Sequence, residues 1–371
     1  MNRIERYLGQ VVFTHTLLVL FVLLVILGFF EFMVQVGKLT DTYTLTKGAF
    51  YTLLKLPVYA YEIFPVALLI GTLMGLGALA NQSELTVLRV TGWSIGRILI
   101  AVLKTAMLIW LLMALVGEFV APSSEAYAKK MRGEALQSGF SVGGSEGGFW
   151  LKEPDRYIHV ARAISSEELI NISIYTQKDS ALTQYARAQT AKYIDGNWQL
   201  FNIQQQNLGF VEHQVELSPS MTQKSVKTLD WSFEKIKQQS LNFPLEPEVL
   251  ESLNIETRYM SAVALNNYIR FLKENELDSE QYQLAFWRKA ASPLVVIGMI
   301  AIVFPLIFGS IRQVSIGQRV FVGILIGMAF HLLNQMFGNL GVVYQLPAIV
   351  GAFLPAVLMV LIATLWLRRV R

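Results

Sequence analysis

Cysteine is absent from the 371-residue sequence, and charged residues are scarce, at 16%. The lack of cysteine excludes disulfides, thiolate metal sites and cysteine nucleophiles. Soluble domains carry about 25% charged residues, whereas this chain has 16% and is 53% hydrophobic, so its composition indicates a membrane protein. The net charge of +4 is small and argues against a general nucleic-acid-binding surface.

Several catalytic motifs are also missing. No G-x-x-x-x-G-K-[ST] segment occurs, which excludes ATP binding through a P-loop, and no H-E-x-x-H segment occurs. The four histidines show no metal-ligand spacing. We therefore assign no metal, no cofactor and no catalytic residue. One alternative stays open: residues 139–143 fit G-x-S-x-G, so Ser141 could serve a membrane-anchored hydrolase, although the glycine-rich surroundings favour a flexible connector.

Six stretches are apolar enough to cross a bilayer, which needs about 20 such residues. The first is too long for the apolar core of a signal peptide, about 7–15 residues, so we expect it to be retained. The predicted fold is an α-helical membrane protein with six transmembrane helices, three before and three after an inserted all-β domain. The pairs Gly71/Gly75 and Gly323/Gly327 predict close helix contacts. The six stretches are 11–35, 57–80, 98–121, 287–309, 319–338 and 347–367.

The basic residues of the short loops predict the orientation in the membrane. Nine arginines collect on the side of the chain termini, against three lysines on the other side. Both termini and the segment 81–97 are therefore predicted to be cytoplasmic, and the central block is predicted to lie on the far side. The two sets are Arg3, Arg6, Arg89, Arg97, Arg312, Arg319, Arg368, Arg369 and Arg371, and Lys38, Lys47 and Lys55.

In the polar block between the two groups of spans, the spacing of apolar residues along the sequence differs from that of the spans. Its segments alternate polar and apolar residues or carry β-branched and aromatic side chains, and turn signals such as Asp195-Gly196-Asn197 separate them. This pattern predicts many short strands in a sandwich or an open β-roll. The predicted domains are 1–122 with spans one to three, 123–285 with the β domain and its flanking helices, and 286–371 with spans four to six.

A short helix is predicted near 82–97, between spans two and three. Ser83 can cap it, Glu84 lies in its first turn, and Gly92 can end it. In a membrane protein without a P-loop, such a helix favours a handle that a separate ATPase moves. The alternative is a helix lying on lipid headgroups. The apolar side of the helix is predicted to consist of Leu85, Val87 and Leu88.

Charged residues at the outer ends of the spans are costly unless they are paired or functional. Glu31 and Lys38 lie near the outer end of span one. Lys129 and Arg132 share a face of the helix that extends span three. One interpretation is a set of cations for an anionic lipid headgroup. The alternative is an ordinary rim of snorkelling side chains.

Short segments spread over the whole chain make it resemble the LptF/LptG family, the inner-membrane permeases of the lipopolysaccharide-export ABC transporter. Three of them, RYLGQ, GEFVAP and YQLAFW, are more similar to the G-type subunit than to the F-type subunit. The segments are RYLGQ at 6–10, SEL at 83–85 followed by Gly92, KTA at 104–106, GEFVAP at 117–122, ISIY at 172–175, YQLAFW at 282–287 and IFG at 307–309.

The resemblance implies a permease without an ATPase site of its own, a periplasmic β-jellyroll and the inner membrane of a Gram-negative cell. It implies a cytoplasmic ATPase dimer, a second permease of F-type, a bitopic C-type jellyroll partner and lipopolysaccharide as partners. The helix between spans two and three would be the coupling helix that enters a groove of the ATPase, with Glu84 as its acidic residue. The implied coupling residues are Ser83, Glu84, Leu85, Leu88, Arg89 and Gly92.

The same resemblance implies that Lys38, Lys129 and Arg132 face the phosphates of the lipid. Glu31 departs from the pattern, since G-type relatives can carry a lysine at this place. A carboxylate repels phosphate unless a cation pairs with it, so either Glu31 pairs with a neighbour or the lipid contacts differ in this chain. The alternative function is a membrane subunit that transmits motion and does not itself bind lipid.

Overall fold

A computed structural model describes residues 2–136, 148–153, 155–165, 167–178, 181–215, 224–241, 256–274, 278–309, 315–343 and 347–370. The chain divides into two compact units. The helical unit comprises Met1–Ala128, Thr257–Ile269 and Asp278–Arg371, and the second unit comprises Lys129–Glu256 and Arg270–Leu277.

Within the described residues, six helical spans are long and apolar enough to cross a membrane, which confirms the predicted number and the 3 + 3 order. The first three are α1 (Arg3–Val36), α2 (Leu45–Asn81), and α4 (Ile95–Leu115), which a π-helical segment (Val116–Val120) continues into α5 (Ala121–Leu136). The last three are α7 (Glu280–Phe308), α8 (Ile316–Val343) and α9 (Ala348–Val370). The described residues also form the shorter helices α3 (Glu84–Val90) and α6 (Ala262–Glu274).

Helix α2 begins at Leu45, well before the predicted start of its span near residue 57. Lys55, which the prediction counted among the loop cations, therefore lies inside this helix and is only 7% exposed. An apolar run marks the part of a helix that crosses hydrocarbon, and it does not detect polar turns that extend the helix further. The first turns of α2 were missed because they carry threonine, lysine and tyrosine among their apolar residues.

Helices α2 and α7 form the centre of the helical unit. In each of them 67% of the most apolar stretch is buried within the chain, against 11% in α1 and in α8. Leu68 and Leu73 of α2 and Met299 and Phe304 of α7 are fully buried. Helices α1 and α8 therefore leave most of their apolar surface to lipid or to another chain.

Glycines bring pairs of helices into close contact, as the small-residue spacing predicts. A Cβ atom added to Gly71 would lie 2.5 Å from the Cα of Thr16 in α1. A Cβ atom added to Gly323 of α8 would lie 2.9 Å from the side chain of Ile70 in α2. Helix α2 therefore packs closely against α1 on one side and α8 on another.

The described residues of the second unit form a six-stranded antiparallel sheet in which the strands follow one another in chain order. This confirms the inserted all-β domain. Because the described strands form one continuous sheet, they favour the open β-roll over the sandwich among the predicted arrangements. The strands are β1 (Phe149–Lys152), β2 (Arg156–Ser165), β3 (Glu168–Lys178), β4 (Ala181–Ile194), β5 (Asn197–Val215) and β6 (Lys224–Leu241).

One buried row of side chains crosses the middle of this sheet. Val160, Ile172, Ala188 and Ile203 are successive register partners on β2 to β5, and each is at most 1% exposed. Alternation along a strand places every second residue on the same face. The alternating pattern read from the sequence therefore corresponds to one apolar face of the sheet.

The turn between β4 and β5 is the predicted one at Asp195-Gly196. Ile194 pairs with Asn197, and φ is 51° at Asp195 and 81° at Gly196. Positive φ at both central residues is the type I′ turn, whose twist matches that of the two flanking strands. The short local signal was sufficient here because the turn chemistry alone sets this geometry.

Candidate functional site

Helix α3 begins after a sharp turn that follows α2. Ser83 occupies its N-cap position with a left-handed backbone, at φ 61°, and its side chain makes no capping hydrogen bond. The prediction that Ser83 caps this helix is therefore wrong. A capping serine has an extended backbone that directs its hydroxyl towards the first helical N–H groups, and the turn from Asn81 to Glu84 requires a different conformation.

Gly92 ends α3, as predicted. Its φ is +94°, its N–H donates to the Arg89 carbonyl at 3.1 Å, and the Trp93 N–H donates to the Leu88 carbonyl at 3.0 Å. These two bonds form a Schellman motif, which requires a residue that tolerates positive φ. Trp93 is 8% exposed and belongs to the core of the helical unit, so the end of α3 is anchored to that core.

The apolar residues of α3 point in two directions. Leu85 is buried in the core of the helical unit, and Leu88 packs against this core. Val87 and Val90 are 60% and 83% exposed, so the prediction that Val87 shares the apolar side with Leu85 is wrong. Residues three apart share a helix face and residues two apart do not. Helix α3 therefore presents an exposed apolar pair away from the core.

Glu84 connects α3 to the first span. The hydroxyl of Tyr7 in α1 donates a hydrogen bond to Glu84 Oε2 at 2.8 Å. Through this bond α3 is joined to α1 as well as to α2, which it follows in the chain. A displacement of α3 would therefore act on both helices.

A cleft of about 330 Å³ opens beside α3 at the end of α7. The Arg89 guanidinium carbon lies 5.9 Å from the centre of the Phe308 ring, within the range of a cation–π contact. The cleft brings two of the predicted coupling residues together with the end of span four, a neighbour that the sequence does not reveal. Its lining residues are Ala80, Leu85, Thr86, Arg89, Val90, Ile307 and Phe308.

Glu31 accepts hydrogen bonds from neighbouring uncharged side chains. The Gln35 amide donates to Oε1 at 2.6 Å, and the Tyr59 hydroxyl of α2 donates to Oε2. Gln35 is 1% exposed and itself accepts a hydrogen bond from the Tyr43 hydroxyl at 3.0 Å. These described donors are neutral, so they do not provide the cation that the pairing possibility for Glu31 requires.

The three predicted cations are distributed over both units. Lys38 is exposed in the connection between α1 and α2 of the helical unit. Lys129 and Arg132 lie on α5 in the second unit, three residues apart on one helix face, and both are partly buried and engaged in contacts. The predicted pairing on one face is therefore present for Lys129 and Arg132.

The sequence and the helical architecture match a known family. The family model described as "Lipopolysaccharide export system permease LptF/LptG" covers residues 6–369. The chain belongs to this family. Because six of its helices are long and apolar enough to cross a membrane, it is a multi-pass membrane protein, and the G-type resemblance can be compared with individual relatives.

Two curated relatives are similar to the chain over nearly its whole length. Lipopolysaccharide export system permease protein LptG of Escherichia coli (strain K12) is 33% identical over 366 residues, which cover 98% of this chain and 97% of the relative. The protein of the same name from Haemophilus influenzae is 32% identical over 376 residues, which cover 100% and 99%. Both relatives carry the G-type name, as the resemblance predicts.

Within this LptF/LptG-family chain, a buried ion pair was not anticipated from the sequence. Lys55 Nζ lies 2.9 Å from Glu125 Oε2, and the two side chains are 9% and 0% exposed. The rings of Tyr51, Tyr59 and Tyr259 surround the ammonium group at 5.5 to 6.0 Å. Tyr51 and Tyr59 lie four residues before and after Lys55, a helical spacing that could have revealed the aromatic surroundings.

A second unanticipated cluster surrounds Glu118 in the π-helical segment. Its carboxylate accepts hydrogen bonds from the Ala262 N–H at 2.7 and 2.9 Å and from the Lys289 ammonium at 3.2 Å. Ala262 is the first residue of α6, so Glu118 satisfies an N–H group at the start of that helix. Span three, α6 and α7 therefore meet at one carboxylate, and no local pattern in the sequence indicates this.

A metal site and the Ser141 motif would be sites of other kinds. Among the described residues, no group of three or more histidine, aspartate or glutamate side chains is placed to hold a metal ion. Ser141 and its glycine-rich motif lie outside the described residues.

Proposed function

We propose that this chain is the permease subunit that takes lipopolysaccharide from the outer leaflet of the inner membrane and passes it to a periplasmic β-jellyroll-like domain. The observation that carries the proposal is the family match over residues 6–369. ATP hydrolysis is supplied by a separate cytoplasmic ATPase dimer. A second, F-type permease and a bitopic C-type jellyroll protein complete the assembly, which delivers the lipid towards the outer membrane.

The proposed orientation places both termini and α3 in the cytoplasm and residues 123–285 in the periplasm. Lys55 and Arg319 are both buried and drop out of the count, so eight arginines on the α3 side face two lysines on the other side, which keeps the charge asymmetry. The absence of cysteine allows a direct test with an impermeant thiol reagent in intact spheroplasts. We expect Lys235→Cys on β6 to react, and Arg368→Cys at the exposed end of α9 to react only after permeabilisation.

The apolar faces of α1 and α8 are proposed to line the lipid cavity together with spans of the partner permease. On α1, Leu17, Phe21, Val25 and Phe29 recur every four residues and are 55 to 66% exposed, so they form one stripe. Helix α8 carries a similar stripe. Its members are Phe321, Leu325, Met328, Leu332 and Met336, which are 44 to 61% exposed.

The headgroup is proposed to bind Lys38, Lys129 and Arg132. Phosphate groups favour ammonium and guanidinium partners, and the described contacts of Glu31 leave its carboxylate hydrogen-bonded to Tyr59 and Gln35. Glu31 is therefore not proposed as a ligand of the headgroup.

Helix α3 is proposed to couple the ATPase to the spans. Its exposed residues Val87 and Val90 provide apolar contact area, and Glu84 and Arg89 provide charge on the same short helix. ATP binding would displace α3, close the cavity and lower its affinity for the lipid. The difference in affinity between the open and closed states drives the lipid onward.

Purification in mild detergent from the native host, followed by mass spectrometry of bound chains and lipid, tests the proposal. We expect an ATPase, a second six-span permease and lipopolysaccharide to copurify. A chain that copurifies with an ATPase but without lipid would contradict lipid binding and support the scaffold function.

Charge reversal separates the permease from that scaffold. We expect Lys129→Glu with Arg132→Glu to abolish lipid export, because both positions would then repel phosphate. Lys130→Glu is the matched control, since it is exposed and lies one residue away on the same helix. Full export in the double variant would favour the scaffold. A hydrolase would instead require Ser141, and we expect Ser141→Ala to retain export.

A further inference from the structure

Arg319 is a buried cation at the start of the fifth span. Helix α8 begins at Ile316, and Arg319 in its first turn is only 1% exposed. Its Nη2 donates a hydrogen bond to the side-chain oxygen of Asn81 at 2.7 Å. Asn81 is the last residue of α2, so one charged side chain joins the beginning of α8 to the end of α2.

A glycine in α2 makes this arrangement possible. A Cβ atom added to Gly77 would overlap with Arg319 Nη1 and lie 2.8 Å from Arg319 Cζ. The guanidinium therefore lies directly against the backbone of α2, four residues before Asn81, and any larger residue at Gly77 would displace it. The bond to Asn81 and the contact with Gly77 together fix the last turn of α2 against α8.

The fixed turn lies next to the proposed coupling helix. Only Gln82 and Ser83 separate Asn81 from the first residue of α3, and Ser83 is held in a left-handed turn. A connection of two residues allows α2 and α3 little independent movement. When α3 moves, the end of α2 must move with it, and packed elements shift as units rather than deform continuously.

We infer that Arg319 is a positioning residue that transmits the displacement of α3 through Asn81 to α8. This inference rests on the proposed function, because it assumes that the exposed apolar stripe of α8 lines the lipid cavity. The bond between Arg319 and Asn81 would then connect α8 to the ATPase through α2 and α3. Without this bond, α3 could still be displaced by the ATPase, and α2 would still contact α8 at Gly323, but the end of α2 next to α3 would no longer hold the beginning of α8.

The test uses the complete complex reconstituted in vesicles that contain lipopolysaccharide, with ATP hydrolysis and lipid release measured together. Asn81→Ala removes the acceptor at an exposed position, so the helical core is undisturbed. We expect hydrolysis to persist while lipid released per ATP falls about tenfold, as for the loss of a hydrogen bond to a charged group. Asn81→Asp keeps an acceptor and is expected to retain coupling.

Arg319→Lys provides an independent variant, because an ammonium cannot reproduce the planar guanidinium that lies on Gly77. We expect it to lower the release-to-hydrolysis ratio, whereas Arg368→Lys at the exposed end of α9 leaves the ratio unchanged. A normal ratio in Asn81→Ala would overturn the inference. So would a parallel loss of hydrolysis and release, or a loss that Asn81→Asp does not restore.

Glu84→Ala in the same vesicles separates this inference from the proposed function. If Glu84→Ala lowers lipid release, either with loss of ATPase binding or with hydrolysis retained, while Asn81→Ala leaves the release-to-hydrolysis ratio normal, the coupling helix stands and the role of Arg319 is refuted. If the unmodified complex hydrolyses ATP without releasing lipid, the proposed function itself fails.

Discussion

Lys55 and Glu125 form a salt bridge in the interior of the helical unit, with 2.9 Å between Nζ and Oε2. The pair joins α2 to the helical extension of span three, and three tyrosine rings enclose the lysine. A cation enclosed in this way has a structural role in helix packing and is not available to bind a ligand. Lys55 is therefore distinct from Lys38, which is exposed, although both are basic residues near the same ends of the spans.

Removing one member of this pair is expected to destabilise the fold. Glu125→Gln leaves the Lys55 ammonium buried without its carboxylate, at a cost of about 3–5 kcal/mol in the free energy of unfolding. The double variant Lys55→Met with Glu125→Leu buries no charge and should regain most of that loss. Tryptophan fluorescence during denaturant unfolding in detergent measures both.

The exposed pair formed by Lys104 and Glu5 supplies the control for this measurement. Its lysine side chain is 52% exposed, and exposed ion pairs contribute about 0–1 kcal/mol. Lys104→Met should therefore hardly change the unfolding midpoint. A double variant at Lys55 and Glu125 that is no more stable than Glu125→Gln would contradict the expectation.

Glu84 has two possible roles, which Tyr7 can separate. Tyr7→Phe removes the bond to Glu84 within the chain and leaves the carboxylate free to meet a partner. Glu84→Ala removes both the bond to Tyr7 and the carboxylate. If Glu84 contacts the ATPase, Tyr7→Phe should retain ATPase binding and lipid export, whereas Glu84→Ala should lose them. Equal losses of ATPase binding and lipid export in the two variants would show that Glu84 acts through its bond between α1 and α3 and not through contact with the ATPase. Pull-down of the ATPase with each permease variant measures the binding.

Local signals in the sequence were sufficient where local chemistry determines the conformation. Gly92 could be predicted to end α3 because a Schellman motif needs only a residue that tolerates positive φ. The same holds for the turn at Asp195-Gly196. Ser83 was predicted wrongly because its backbone is set by how α2 and α3 are oriented, and the sequence of the loop does not contain that information.

Contacts between distant parts of the chain could not be predicted. Lys55 and Glu125 are 70 residues apart, and a single sequence does not indicate which carboxylate a buried lysine will find. The bond between Arg319 and Asn81 spans 238 residues, so Arg319 could be assigned only as one of several cytoplasmic arginines. Counting loop charges treats such a residue as solvated, although here it is buried.

The contact of Gly71 with Thr16 is expected to tolerate no side chain. Gly71→Ala would place a Cβ atom 2.5 Å from the α1 backbone, which forces the helices apart at a cost of about 1–3 kcal/mol. Gly317→Ala is the matched control, because a Cβ atom there has no neighbour within 4 Å, and surface changes of this kind stay within about 0.5 kcal/mol. Unfolding midpoints of the two variants in detergent test this, and equal midpoints would contradict the close packing.

Glu31 is expected to oppose headgroup binding while it supports the fold. Glu31→Gln removes one negative charge and keeps one acceptor oxygen for the Gln35 amide, while its new NH2 group can donate to the Tyr59 hydroxyl, which can also act as an acceptor. We therefore expect lipid affinity to rise a few-fold and stability to change little. Glu31→Ala leaves two partly buried donors without this acceptor, at a cost of about 1–3 kcal/mol. Titration of the purified complex with lipopolysaccharide measures the affinity, and unfolding in detergent measures the stability. Weaker lipid binding in Glu31→Gln, at unchanged stability, would instead make the Glu31 carboxylate a direct contact of the lipid.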